Sequence, residues 1–390
     1  MSRFIHAAAL AAASVLGISG AAFAAEQNPE TQLLTAIDDL DQGHVNEAWT
    51  ALDDLVKRQP NFHLARLFHN ELAAARDGSQ VKALYASNDP QIQGLAEEAR
   101  LRIAQWRERI PDDTAPDVFL QLAKAHKHAV VVDLPRARLY LLEIKDGAMR
   151  VVKNFYAASG KGGWGKRKRG DNRTPLGIYH VTGFIADNKL PELYGAGAFP
   201  VSYPNVWDQR LGYTGSGVWL HGVPRDTYAR VPRSSEGCVT LANNDLMELK
   251  PYLALGETPV VFTDTLSWRP QGSSGDLREE FAGEVEKWRK RWSALDTEGY
   301  LAFYADDFET DGMNKKAFAE YKRRVNKAKK KIDVQLENVD LFRYPGNDGL
   351  MLAHFIQHYS SNNFQLKSEK DQFWRRDSAG KWRIVKESSH

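Results

Sequence analysis

The chain has 390 residues, a formal net charge of +2, 43% hydrophobic and 26% charged residues. That balance excludes a disordered tail, a multispanning membrane protein and a strongly basic nucleic-acid binder. The length predicts about two or three domains, and Cys238 is the one cysteine among them.

The first residues set the compartment. Arg3 supplies a positive charge, an alanine-rich apolar run covers 7–22, and Ala22-Phe23-Ala24 fits the small-x-small rule for cleavage before Ala25. Residues 1–24 therefore read as a signal peptide, too short in its apolar part for a membrane span. The expectation is export to the periplasm with no stable membrane span after cleavage.

Residues 25–115 read as a helical region, with apolar residues at three- and four-residue steps. Gly43 and Pro60-Asn61 punctuate it at a spacing like that of a tetratricopeptide repeat. About one such unit is present, which predicts an accessory region that packs on its neighbour and offers a peptide-binding face. From 127 the period becomes that of strands. "HAVVVDLPRARLYLLEI", "MRVVKNFYAAS", "PLGIYHVTGFI", "GVWLHG" and "TPVVFTD" predict a mostly β domain over 127–266. Asn243, Asn244 and Asp245 offer caps for a helix that follows.

The run "RPQGSSGD" predicts a linker at 267–276. Helices and then alternating strands over 277–390 predict an α+β domain. The fold class is thus multidomain: N-terminal α-helical region, mostly β middle domain, C-terminal α+β domain.

The chemistry concentrates in "WLHGVPRDTYARVPRSSEGCVTL", residues 219–241. Exported proteins favour disulfides, so a lone thiol there reads as reactive, as an intermolecular bridge, or as a small buried hydrophobe. His221 ends a predicted strand and Cys238 follows seventeen residues later. A Cys–His couple is a standard route to acyl transfer. Gly237 permits a tight turn whose N–H groups can face an oxyanion. Ser235 can bond within that turn or orient His221. The third group, which would set the imidazole tautomer, is not named by the sequence.

Other features read more plainly. Lys161, Lys166, Arg167, Lys168, Arg169 and Arg173 make 160–173 a basic, glycine-rich loop, expected as a mobile rim or a solvated surface. His354 and His358 share one strand face, either at a pocket mouth or in sheet packing. The lysine- and arginine-rich stretch 322–331 reads as a solvated helix face or a contact to anionic polymer. No histidine set has zinc-type spacing, so neither metal nor cofactor is expected.

The motif around His221 and Cys238 resembles the L,D-transpeptidases with a YkuD-type catalytic domain, whose pattern is a histidine, a loop and Ser/Thr-x-Gly-Cys. "GDNRTPLGIY" at 170–179 resembles a second motif of that family. The resemblance implies that Cys238 attacks a peptidoglycan tetrapeptide stem, expels D-alanine and forms an acyl-enzyme, with His221 as base. It makes Gly237 and Ser235 the oxyanion and orienting positions, and Trp219, Gly222, Arg233, Glu236 and Thr240 the substrate-contacting ones. Glu236 and Thr240 depart from residues common in the family, which leaves the acyl acceptor open.

The segments "WRKRWSALDTEGYLAFYADDF" and "FWRRDSAGKWRIVKES" resemble a SnoaL-like domain of the nuclear transport factor fold, a cone with a mouth. A subset joining such a cone to this catalytic domain trims peptidoglycan and includes an L,D-carboxypeptidase of cell-shape control. Three readings follow: an L,D-transpeptidase; an L,D-carboxypeptidase that trims tetrapeptide to tripeptide stems; and a wall-binding scaffold with a vestigial site. The implied partners are peptidoglycan stem peptides, with other cell-wall proteins reaching the helical or SnoaL-like domain, and no nucleic acid.

Overall fold

The computed structural model describes residues 28–78, 87–273, 275–310 and 312–389. The signal peptide expected at 1–24 lies outside the described residues. Among those residues, no helix is long and apolar enough to cross a membrane.

Four helices come first: Pro29–Asp41, Val45–Arg58, His63–Arg76 and Pro90–Arg107. Asn28 caps the first by accepting from the N–H groups of Glu30 and Thr31, and Asp89 caps the fourth by accepting from that of Gln91. Leu33, Leu34, Ile37, Ala48, Leu52, Leu55 and Leu64 meet at helical spacing in one core. That core does not close on itself. Tyr228 and Ala242 of the middle domain complete it.

The middle domain is built on a five-stranded sheet in the order Ala148–Tyr156, Arg138–Lys145, His128–Asp133, Pro259–Thr263, Gly177–His180. Strands His128–Asp133 and Pro259–Thr263 run parallel, the others antiparallel. Both faces are buried, which explains the unbroken apolar run at Ala129–Val132. Val130, Val132, Leu139 and Leu141 face Leu220, Val239, Leu246 and Leu249. Ala129, Val131, Tyr140 and Leu142 face the opposite way, toward Phe342, Leu352, Phe373 and Val385 of the C-terminal domain. A second sheet, in the order Val239–Thr240, Trp219–His221, Gly197–Pro200, Ile185–Ala186, carries the candidate site.

The C-terminal domain wraps helices Gly275–Ser293, Thr297–Leu301 and Lys315–Lys327 in a seven-stranded sheet. Trp288, Trp292, Tyr300, Tyr304, Phe318 and Trp374 fill its concave side. Register shifts within Ile332–Arg343 and Gln365–Arg376 bend the long strands, as bulges do.

Two connections differ from expectation. Phe119–Gln121, ahead of the middle domain, pairs with Ile332–Arg343 as the edge of the C-terminal sheet. Leu120 points into that domain's core and Phe119 into the core shared with the middle domain. Within 267–276, read as a linker, Trp268–Pro270 pairs antiparallel with Thr114–Pro116, and a helix starts at Gly275. Composition suggested a free segment, but a distant strand supplies its hydrogen bonds. His354 does not face the cone mouth either. Its Nδ1 lies 2.8 Å from Asp371, and its ring is 5.8 Å from that of His180 in the middle domain. His358 pairs with Glu337 at 2.6 Å.

The helices join the middle domain through a buried ion cluster. Arg102 contacts Glu30 at 2.6 Å and Glu98 at 2.8 Å, and Arg138 contacts Glu30 at 2.6 Å. Arg102 also lies 3.8 Å from the ring centre of Tyr156. Burial alone would raise the Glu30 carboxyl, but Arg138 and Arg102 outweigh it and hold its pKa at about 2. Ionised Glu30 therefore contributes stability above the ordinary carboxylate range, and this is lost as pH falls toward about 2. Arg102→Ala leaves two buried carboxylates without their shared partner. Urea unfolding of that variant is expected to show a loss of about 3–5 kcal/mol; a change within about 0.5 kcal/mol would match a surface pair instead.

Candidate active site

Two very short strands place the candidate side chains. Val239 and Thr240 pair in parallel with Leu220 and His221. Side chains alternate along a strand, so Thr240 shares the face of His221 and Trp219, and Cys238 directly precedes the paired strand. The Tyr194 ring closes this face, with its centre 4.9 Å from those of both Trp219 and His221.

His221 is 3% exposed. Its Nδ1 lies 2.7 Å from the Gly222 carbonyl oxygen. A carbonyl only accepts, so Nδ1 carries the proton and Nε2 keeps its lone pair. The third group of the site is thus a backbone carbonyl, which no residue type in the sequence could announce. Burial lowers the imidazole pKa to about 4, outweighing the Gly222 bond, while the charge of Arg230 lowers it further.

Cys238 is partly exposed, and its thiol donates to the Gly217 carbonyl at 3.4 Å. Burial pushes the thiol up from its ordinary value. The resting couple is therefore neutral thiol and neutral imidazole, not thiolate and imidazolium.

The turn before Cys238 is held from inside. Ser235 Oγ donates to the Cys238 carbonyl at 2.6 Å and accepts from the Gly237 N–H at 3.1 Å. Ser235 thus braces the turn and does not orient His221. Gly237 has φ +122°, and a Cβ there would lie 2.8 Å from the Arg173 carbonyl oxygen, so glycine is required. The Gly237 N–H is spent on Ser235. Among the described residues no acceptor takes the Cys238 N–H.

With this geometry in hand, residues 127–262 match the L,D-transpeptidase catalytic domain family (YkuD), and residues 280–388 match the Cds6 C-terminal NTF2-like domain. The chain carries a YkuD domain followed by an NTF2-like domain. The structure of Bd1075 from Bdellovibrio bacteriovorus is similar, with 28% identity and a TM-score of 0.62, covering 71% of this chain and 98% of that one. The helical cell shape determining protein Pgp2 from Campylobacter jejuni shares the fold at 24% identity and a TM-score of 0.58, covering 75% of this chain and 98% of its own. No curated protein matches the chain.

The other positions expected to meet substrate separate within the YkuD domain. Trp219 packs on Tyr194. Gly222 is buried, and a Cβ there would come 2.1 Å from Asn243 Oδ1. Glu236 is exposed at the rim, with Lys161 at 3.6 Å. Thr240 is 2% exposed on the face of His221, so it is closed to solvent. Arg233 turns away from the thiol and binds Glu97 of helix Pro90–Arg107 at 2.6 Å.

Sequence reasoning missed three contributors. Tyr194 ends a short turn between Pro191 and Gly195 and carries no motif. Gly217 acts through its carbonyl alone. Asn243 was expected to cap a helix, yet the cap position is Ala242. Asn243 Oδ1 instead accepts from the N–H groups of Ala196 and Val223 at 2.9 and 3.1 Å, and Nδ2 donates to the Val223 carbonyl at 2.8 Å. It ties Val223, which follows His221 and Gly222, to Ala196 ahead of the neighbouring strand.

The basic loop 160–173 is braced rather than mobile. Asp171 pairs with buried Lys166 at 2.8 Å and accepts from the N–H groups of Arg167, Lys168 and Arg173. Among the described residues no cluster of three or more His, Cys, Asp or Glu is placed to hold a metal ion.

The neutral couple has a direct signature. Alkylation of Cys238 by iodoacetamide is expected to accelerate with pH through and beyond the ordinary thiol range, because burial raises the thiol. A rate independent of pH in mildly acidic buffer would reveal a preformed thiolate and contradict this geometry.

Proposed function

We propose that the protein is a periplasmic peptidoglycan-modifying cysteine acyltransferase that acts on tetrapeptide stems. The observation that carries this reading is His221: buried, its Nδ1–H committed to Gly222, and its strand paired with the one that directly follows Cys238.

Nε2 takes the thiol proton as Sγ bonds to the carbonyl carbon before the terminal D-alanine. The oxyanion that forms is received by the Cys238 N–H. The C–N bond then breaks, the His221 proton passes to the departing amine, and D-alanine leaves. The thioester that remains is attacked by a stem amine or by water. His221 accepts the attacker's proton and returns it to sulfur as the C–S bond breaks.

The acceptor separates two enzyme readings. An amine gives L,D-transpeptidation; water gives L,D-carboxypeptidation and tripeptide stems. The NTF2-like cone favours the second, because the trimming subset joins such a cone to this catalytic domain. The similarity to a helical cell shape determining protein supports a role in shaping the wall. A scaffold with a vestigial site would not need a buried histidine with a fixed tautomer one strand from its single thiol.

Purified protein incubated with disaccharide-tetrapeptides and read by mass spectrometry tests the proposal. Crosslinked or D-amino-acid-exchanged products indicate transfer, and tripeptide alone indicates hydrolysis. Neither product from folded protein would refute both. Cys238→Ala is expected to reduce turnover by on the order of 10^4-fold or more with little change in unfolding; retained turnover would remove Cys238 from the mechanism.

A further inference from the structure

The loop 222–237 joins His221 to Cys238, and the N-terminal helices hold it. The Tyr228 N–H donates to the Asn61 carbonyl at 3.0 Å, and Asn61 Nδ2 donates to the Arg225 carbonyl at 2.9 Å. Phe62 stacks on Tyr228 with ring centres 4.1 Å apart. Gly94 lies so near Val231 that a Cβ would come within 3.1 Å. Arg233, at φ +51°, is tied to Glu97.

These contacts bracket Arg230. Its carbonyl accepts from the Tyr156 hydroxyl at 3.0 Å. Tyr156 ends a strand whose continuation, Ala158, pairs with Thr240, two residues beyond Cys238. The Arg230 backbone is thus tied to the segment that pairs with Thr240.

The side chain of Arg230 differs from the other cations nearby. Arg225 pairs with Asp187, Arg233 with Glu97, Lys161 with Glu236 and Lys166 with Asp171. Arg230 is half-buried, and among the described residues its guanidinium has no ion pair or hydrogen bond. Its charge is felt at His221, Cys238 and Tyr194 together. A half-buried guanidinium without a counter-ion is costly unless a ligand supplies one. It presents a planar fork of donors suited to a carboxylate.

We infer that Arg230 is a specificity-determining residue that receives a substrate carboxylate flanking the scissile bond, and that the N-terminal helices hold it there through Asn61, Phe62 and Gly94. This rests on the acyl-transfer reading above. A tetrapeptide stem offers that chemistry twice: the α-carboxylate of the terminal D-alanine and the free carboxylate of the third residue. The helical region then acts as part of the site's frame.

Binding tests the inference without turnover. Calorimetry would compare a synthetic tetrapeptide stem with two analogues, one amidated at the terminal carboxyl and one at the third residue, in a Cys238→Ala background. One amidation is expected to weaken binding about 10- to 100-fold, the range of a hydrogen bond to a charged group. That arm identifies which carboxylate Arg230 receives. Adding Arg230→Gln should bring acid and amide within about twofold, whereas Arg230→Lys should keep part of the preference.

The inference is overturned if neither amidation matters, if Arg230→Gln keeps the wild-type ratio, or if the free-acid stem does not bind. Turnover by the wild type is read separately. Its absence would sink the enzyme reading while the binding ratios still decide Arg230.

Discussion

The site depends on one short pairing, that of Leu220–His221 with Val239–Thr240. Two residues per strand cannot hold a register alone. Asn243 supplies what the ladder lacks by tying Val223, next to the His221–Gly222 step, to Ala196 just ahead of the neighbouring strand. Ser235 does the same for the Cys238 turn. Once these are set, the Gly222 carbonyl is the one acceptor at Nδ1, and the tautomer follows. The His221 tautomer is set by backbone position and not by a charged partner.

The same economy explains the domain arrangement. The five-stranded sheet buries both faces: one against the second sheet and helix Asn243–Leu249, the other against the C-terminal sheet. The NTF2-like domain therefore covers apolar surface that the catalytic domain cannot leave in water. On a third side, the helices finish their own core with Tyr228 from the loop over the site. Arg102 seals that junction with Glu30 and Glu98. A change of packing at the helices thus reaches the loop between His221 and Cys238 through direct contacts.

Much of this was legible in the sequence, for physical reasons. The apolar run after His128, the strand alternation in 332–389 and the helical spacing in 31–109 come from burial, which is written in residue type. Cys238 and His221 stood out because the one cysteine follows a Ser-x-Gly turn and the histidine ends a predicted strand ahead of it. The remainder depended on partners far away in the chain. "RPQGSSGD" has linker composition, yet Thr114–Pro116 pairs with its Trp268–Pro270 segment. The basic loop 160–173 reads as unconstrained until Asp171 is seen to gather its N–H groups. Arg233 and Thr240 sit in the right motif, but Arg233 binds Glu97 and Thr240 is closed to solvent. Gly217 and Gly222 act through carbonyls, which every residue possesses.

The central claim is that the couple rests neutral, with His221 protonated at Nδ1 only. The 15N chemical shifts of the His221 ring, followed through a pH titration, test it most directly. The account predicts one protonated and one bare ring nitrogen at neutral pH, changing to imidazolium only as pH falls to about 4. Two protonated ring nitrogens at neutral pH would mean a standing thiolate–imidazolium pair and would contradict the account.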